Sequence, residues 1–491
     1  MISTTAIEGL LFCELAVHGD ERGWFKENWQ REKMVDAGLP DFRPVQNNIS
    51  FNAERGVTRG LHAEPWDKFI SVGHGRVFGA WCDLRRDSPT FGEVVTHEIG
   101  PDTAVFVPRG VANGFQTLDD NTVYSYLVTA HWSPSVHYLA VNLGDPTLNI
   151  PWPIPLSEAI VSDKDRYHPL LSEVTPAAPR RILVIGSTGQ LARALRAYAA
   201  EHDMADEFEF TTHRPPKGAS DPARLLDLEE LARDPQADGD LDWSSYRAII
   251  NAAAYTQVDA AETPEGRKKA WALNAVLPGR LADIAAAHGI PLVHVSTDYV
   301  FDGSAPTWQE SDLPAPLNVY GQSKAAGEQA VLRSPGALVV RTSWVIGEGP
   351  NFVRTMMDLA GRDINPSVVE DQVGRPTLAR DLADGIMHLL ASGAPGGIYH
   401  LSNTGPALSF AELAREVFRR CGADPERVQP VSTAEYEHSR RESAQRTRNA
   451  PPVMAPRPSS STFSLEKIIA TGWTPRDWRE ALDDILPEEE S

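Results

Sequence analysis

Cysteine is scarce in this chain. Its 491 residues hold three, Cys13, Cys82 and Cys421, too scattered for a disulfide framework or a metal-ligand spacing, so a reducing cytoplasmic setting is expected. Long apolar runs are missing too. No stretch approaches the roughly 20 apolar residues of a membrane helix, and the opening MISTTAIEGLLFCELAVHGDERG lacks the basic leader and apolar core of a signal peptide. No membrane partner is expected. Positive charge is in deficit: 46 Lys and Arg against 67 Asp and Glu give a formal net charge of −21. That balance argues against nucleic acid as a partner while leaving room for a local basic pocket around a phosphorylated ligand. The sequence also shows no internal repeat.

What is present is globular, with 42% hydrophobic and 23% charged residues, and the length suggests roughly two to four domains. Up to about Asp165, short β-type runs such as FISVGHGRVFGAWCDL, EVVTHEI, TAVFVP and TVYSYLVTA alternate with Gly, Pro and Asp, which predicts an all-β barrel or sandwich. HPLLSEVTPAAPR, His168 to Arg180, is proline-bearing and aperiodic, and residues 173–180 read as a linker between a domain over 1–172 and another over 181–485. From Arg181 the pattern changes. RILVIG, FEFTTH, RAIINAAA, LVHVSTDYVF and ALVVRTSWVIG read as buried parallel strands with helices between them, a doubly wound α/β Rossmann sheet. Residues 486–491 read as an acidic tail.

Gly186 and Gly189 lie in the turn IGSTGQLARAL between a strand and a helix, where glycine lets the backbone approach a pyrophosphate. After the next strand come Thr211, Thr212, His213 and Arg214. With no acidic residue at the usual ribose position, Arg214 favours the 2′-phosphate of NADPH over NADH; a solvated loop arginine is the competing reading. Tyr320 and Lys324, in YGQSKAAGE, stand one helical turn apart on one face. A phenol can there deliver a proton to a carbonyl oxygen while the ammonium lowers its pKa from roughly 10.

The ordered motifs IGSTGQL, NAAAYTQVDAAE, HVSTDYVFDG, NVYGQSKAAGE, RTSWVIG, NFV, DQVGRPT and APRPSSS resemble the dTDP-4-dehydrorhamnose reductases, of the extended short-chain dehydrogenase group, over nearly all of residues 181–485. The resemblance implies that Tyr320 is the proton donor, that Lys324 holds the nicotinamide ribose, and that Thr297 bonds the reacting oxygen. It implies cofactor contacts at Gly186, Gly189, Gln190, Leu191 and Ala252, Ala253 and Ala254, and substrate contacts at Trp344, Arg457, Pro458 and Ser461 in a small substrate-binding lobe. Ile346 stands where that family often has tyrosine.

The segments DERGWFKE, QNNISFN, GVTRGLHAEPWDKF, CDLRRDSPTFGE, VPRGVANGF, SYLVTAHWSP and VSDKD resemble the cupin-type dTDP-4-dehydrorhamnose 3,5-epimerases from about residue 5 to 170. By that resemblance His62 is the base, oriented by Asp165, and Lys68 steadies the enolate. Arg22, Gln46, Asn48 and Arg59 bind substrate, and the domain dimerises. His74, His97 and His131 read as structural, and no metal site is expected because the His-x-His of metal-holding cupins is absent. Three positions depart from the family pattern: Trp132 for an acid tyrosine, Asn113 for a histidine and Gly79 for an acidic residue. Tyr126 and Tyr138 are alternative acids.

The leading expectation is a bifunctional enzyme that epimerises, then reduces, a nucleotide-linked 4-keto-6-deoxy sugar. The alternatives are a reductase with a single-carbon or silent epimerase-like domain, and a non-catalytic regulatory subunit, against which the intact Thr297, Tyr320 and Lys324 speak.

Overall fold

The computed structural model describes residues 1–131, 138–213, 223–234, 237, 241–362, 364–446 and 453–486. Trp132, Arg214 and residues 487–491 of the acidic tail therefore lie outside the described residues. The chain divides into two units, Met1–Arg180 and Arg181–Ser491.

The first unit is strand-rich. One sheet runs in the order Ile2–Thr4, Leu11–Glu14, Thr103–Val107, Lys68–His74, Thr122–Val128 and Gln46–Asn52. The second runs Leu139–Ala140, Val57–Ala63, Val111–Thr117, Val77–Asp83 and Val94–Ile99, with Ile160–Val161 alongside Val57–Ala63. Ile70, Val72 and Val105 of the first sheet pack in one cluster with Val77, Trp81 and Phe115 of the second. Burying such side chains is worth roughly 1.5–3 kcal/mol each. The segment read as a linker is docked on this unit: Val174 joins an apolar cluster, and Ala177 N–H donates to Leu84 O at 2.7 Å. Proline content made it look free, but its backbone groups find partners here.

The second unit is built on a parallel sheet ordered Arg224–Leu225, Phe208–Thr212, Arg181–Ile185, Tyr246–Asn251, Leu292–Thr297, Leu338–Thr342 and Gly397–His400. The order reverses between Arg181–Ile185 and Tyr246–Asn251, which opens a crevice at the strands' carboxyl ends. Ile182, Leu183, Val184 and Ile185 are all buried, as a strand covered on both faces requires. The helix Gln190–Glu201 buries Leu191, Ala192, Leu195 and Ala199, a stripe at helical spacing. A further cluster gathers Val353, Met356, Leu413, Val417, Phe418 and Trp478. Leu486 belongs to it, so the assigned acidic tail begins with a core residue rather than a solvated one. Among the described residues no helix is long and apolar enough to cross a membrane.

Candidate active sites

In the second unit the first strand ends in Gly186, whose φ of +98° suits glycine. A Cβ there would meet the Ala253 backbone at 3.0 Å, so the turn closes directly against the end of Tyr246–Asn251. Ala252 N–H donates to Ile185 O at 3.0 Å and fixes the same approach. Gly189 caps Gln190–Glu201 with no side-chain acceptor and open space at its Cβ position, leaving the first helical N–H groups facing the crevice. These features fit the pyrophosphate of a dinucleotide. Gln190 and Leu191 contribute there through backbone at most. The Gln190 amide oxygen accepts from Gly347 N–H at 2.7 Å, tying the helix to the Val345–Ile346 strand and the turn after it, and the Leu191 side chain is core.

The Tyr320 helix, Val319–Val331, starts at Asn318, whose side chain accepts from Gly321 N–H at 2.8 Å. It lies very close to its neighbours. A Cβ on Gly321 would meet Tyr299 O at 2.1 Å, and one on Gly327 would meet Asn274 O at 2.0 Å. A buried ion pair fixes the far end: Arg341 and Glu328 approach to 2.7 Å at no more than 1% side-chain exposure, and Ser296 hydroxyl donates to Glu328 at 2.5 Å. Helix and strands are thus locked together, with the Tyr320 hydroxyl in contact with the Thr297 side chain and its ring edge-on to Tyr299 at 5.8 Å.

The Tyr320 phenol departs from the sequence expectation. Burial pushes it up to about 12, and the Thr297 contact only partly offsets this. The Lys324 ammonium donates to Val295 O at 2.5 Å and stands 3.4 Å from His294 Nε2. Burial brings Lys324 down to about 8, against the pull of Glu328. A carbonyl and an imidazole on the neighbouring strand, unseen in the Tyr-x-x-x-Lys spacing, set its direction.

Asp298 was not anticipated, although it lies within the STDYVFDG motif. It is buried, accepts from Thr297 hydroxyl at 2.9 Å, and burial raises its carboxyl to about 6 against hydrogen bonds from Ser461 and Thr297. Ser461 is therefore brought to the Thr297 end of the cluster. Arg457 reaches Asp259 at 2.9 Å and also bonds Tyr299, one ring away from Tyr320. Trp344 is held with φ +45° and stacks on Phe410 at 3.7 Å.

In the first unit His62 and Asp165 meet, Nε2 to Oδ1, at 2.9 Å. Burial works to raise the Asp165 carboxyl, but hydrogen bonds from His62, Gly60 N–H and His168 outweigh it and hold it at about 2. His168 opens the aperiodic stretch HPLLSEVTPAAPR and carried no predicted role. Its Nε2 lies 3.2 Å from His62 Nε2 and 3.1 Å from Asp165 Oδ1, and burial and His62 both lower its pKa. Its spacing of three from Asp165 across one short helix was the available signal.

Asn113 lies opposite His62 in the strand pairing, and Lys68 Nζ donates to its Oδ1 at 2.6 Å. Lys68 also pairs with Glu64 and stands 5.5 Å from the Tyr126 ring centroid. Burial lowers the Lys68 pKa, opposed by Glu64. Tyr138 sits 5.7 Å from the His62 ring, its hydroxyl accepting from Lys164 at 3.1 Å. The missing acid at Gly79 has a steric cause: a Cβ there would meet the Trp81 ring at 2.3 Å. Gln46 and Asn48 bond each other at 2.8 Å on one edge strand, and Arg59 donates to Asn52 at 3.1 Å and acts electrostatically on Tyr126. Arg22 stands apart on the exposed Val17–Lys26 hairpin, paired with Asp20.

A doubly wound parallel sheet with a glycine turn and a Tyr-x-x-x-Lys helix over a Ser-Thr strand end defines the class of short-chain dehydrogenase-type reductases; here it shares a chain with a strand-rich unit bearing a His–Asp pair. The chain belongs to the family described as RmlD substrate binding domain, matched over residues 180–491, and to the dTDP-4-dehydrorhamnose 3,5-epimerase family, matched over residues 4–173. A dTDP-4-dehydrorhamnose reductase of Mycolicibacterium smegmatis is 40% identical over 314 residues, 62% of this chain and 85% of that one. A protein RmlC homolog of Streptococcus pyogenes is 51% identical over 181 residues, 35% of this chain and 90% of that one. The crystal structure of a dTDP-4-dehydrorhamnose reductase from Bacillus anthracis in complex with NADP superposes with a TM-score of 0.52 at 32% identity, covering 62% of this chain and 98% of that one.

Proposed function

We propose that this chain performs two consecutive steps on one sugar: 3,5-epimerisation of dTDP-4-dehydro-6-deoxyglucose, then NADPH-dependent reduction of dTDP-4-dehydro-L-rhamnose to dTDP-L-rhamnose. The observation that carries this reading is that one chain holds the His62–Asp165 pair and the Thr297–Tyr320–Lys324 cluster, each in a unit of the corresponding family. In finer detail we take the strand-rich unit as a cupin-type barrel and the Val353–Trp478 cluster as the lobe that closes over substrate.

In the first step the C3 and C5 protons are acidic because they flank the C4 ketone. Asp165 engages His62 Nε2, which leaves Nδ1 as the basic atom and balances the charge that forms on the ring. Lys68, held by Asn113 and Glu64, steadies the enolate oxygen. Tyr126 beside Lys68, or Tyr138 beside His62, supplies the acid. In the second step bound NADPH supplies hydride to C4. Tyr320 gives its proton to the developing alkoxide while Thr297 hydrogen-bonds the same oxygen. Gly186, Gly189 and Ala252 to Ala254 receive the dinucleotide, and Lys324 keeps N–H donors free for a ribose hydroxyl beyond the one given to Val295. Trp344, Arg457 and Ser461 receive the nucleotide sugar.

The test is incubation of the full chain with dTDP-4-dehydro-6-deoxyglucose in deuterated water. Without NADPH, deuterium is expected at C3 and C5; with NADPH, labelled dTDP-L-rhamnose. NADPH consumption only after an external epimerase is added would overturn the two-step reading.

We also propose that the chain is a homodimer through its first unit. Phe25 on the hairpin and Ile49 and Phe51 on the edge strand Gln46–Asn52 are 60–70% exposed. An uncovered apolar sheet edge of this kind is a pairing surface. Sedimentation should find a dimer that the double substitution Ile49→Asp, Phe51→Asp converts to monomer; a monomeric wild type at micromolar concentration would remove the proposal.

A further inference from the structure

The convergence of His62, Asp165 and His168 asks for more than a catalytic pair. Three donor atoms, two imidazole Nε2 and one carboxylate Oδ1, form a triangle with edges of 2.9, 3.1 and 3.2 Å. Protons alone do not satisfy it. Each neutral ring offers one N–H. If both Nε2 atoms carry it, two N–H groups confront each other across 3.2 Å; if only one does, the other nitrogen turns its lone pair on the ionised carboxylate. Every arrangement leaves one edge repulsive.

A dication at the apex relieves all three edges. Ligand atoms held at about 2.0–2.2 Å from zinc stand about 2.9 Å apart at right angles and about 3.3 Å apart in a tetrahedron. The observed edges fall in that interval. Two imidazoles and one carboxylate are a donor set suited to borderline divalent ions, with positions left open for water. The site is supported from outside: Asn142 Nδ2 donates to His168 O at 3.0 Å, and Gly60 N–H donates to Asp165. The Asp165 and His168 side chains are 8% and 9% exposed and His62 is 25% exposed, so an ion can enter along the His62 side. Lys164, the neighbouring cation, turns its ammonium to Tyr138.

We propose that His62, Asp165 and His168 form a zinc-type divalent metal site that switches off the first unit's epimerase. The proposal rests on the epimerase reading for its consequence, though not for the binding itself. With Nε2 of His62 bound to the ion, the proton of the neutral ring resides on Nδ1, and His62 has no lone pair left to take a proton from the sugar. Asp165 is drawn to the ion at the same time. The second unit contains none of these ligands and keeps working.

The test strips the full chain with EDTA and titrates Zn²⁺ by calorimetry and Co²⁺ by visible absorption. The wild type should bind one ion per chain more than His168→Asn, and Co²⁺ should show the intense d–d bands of a low-symmetry site. Asp165→Asn should lose the same ion. Zn²⁺ should stop C3/C5 deuterium exchange, EDTA should restore it, and NADPH oxidation with already epimerised substrate should be unchanged. Equal stoichiometry in the wild type and both variants, or a Co²⁺ spectrum that stays that of the hydrated ion, overturns the site. Co²⁺ bands in a protein whose EDTA-stripped form also shows no exchange keep the metal site and sink the epimerase reading; exchange in a protein that binds no ion does the reverse.

Discussion

Tyr320→Phe should lower NADPH-dependent reduction by about 10²- to 10⁴-fold while leaving deuterium exchange in the first unit intact. The magnitude follows from losing one positioned proton donor, about 2.7–5.4 kcal/mol of barrier at 1.36 kcal/mol per tenfold. Phenylalanine preserves the ring that stands edge-on to Tyr299 at 5.8 Å, so the helix has no packing reason to move. The affected quantity should be kcat, with binding of the nucleotide sugar little changed, because the proton moves in the transition state. Stopped-flow measurement of NADPH oxidation reads the loss directly. Loss of exchange as well would contradict two independent sites, and an unchanged reduction rate would take the phenol out of the chemistry.

His62→Ala should bring C3 and C5 exchange to the solvent background, a loss of comparable size, with reduction of pre-epimerised substrate preserved. Alanine removes both the base and the hydrogen bond from Nε2 to Asp165, so the carboxylate keeps only Gly60 N–H and His168. The Asp165 carboxyl should then rise from about 2, because the His62 hydrogen bond is the largest influence holding it down against burial. Mass spectrometry of the recovered sugar reads the exchange. Labelling at the wild-type rate would remove His62 from its role.

The strand and helix runs were legible because their periodicity is local: RILVIG, LVHVSTDYVF and the helix of YGQSKAAGE all stand where their patterns put them. The same holds for the meeting of Tyr320 with Thr297 and of His62 with Asp165, once the motifs were matched in order. Long-range geometry was not legible. Lys324 is steered by Val295 O and His294, and nothing in a four-residue spacing encodes a neighbouring strand's carbonyl. His168 sits in a proline-bearing stretch whose distant partners, His62 and Asn142, are supplied by separate parts of the chain. Leu486 precedes a run of glutamates that masks its place in an apolar cluster.

The indole of Trp81 fills the side-chain space of residue 79 and ties the choice of residue at one position to the other. An acid does not fit at position 79 by one substitution, since its Cβ would fall 2.3 Å from the ring, and shrinking Trp81 alone would open a void in a packed core. The two positions are therefore coupled: a carboxylate at position 79 requires a smaller side chain at position 81 in the same variant.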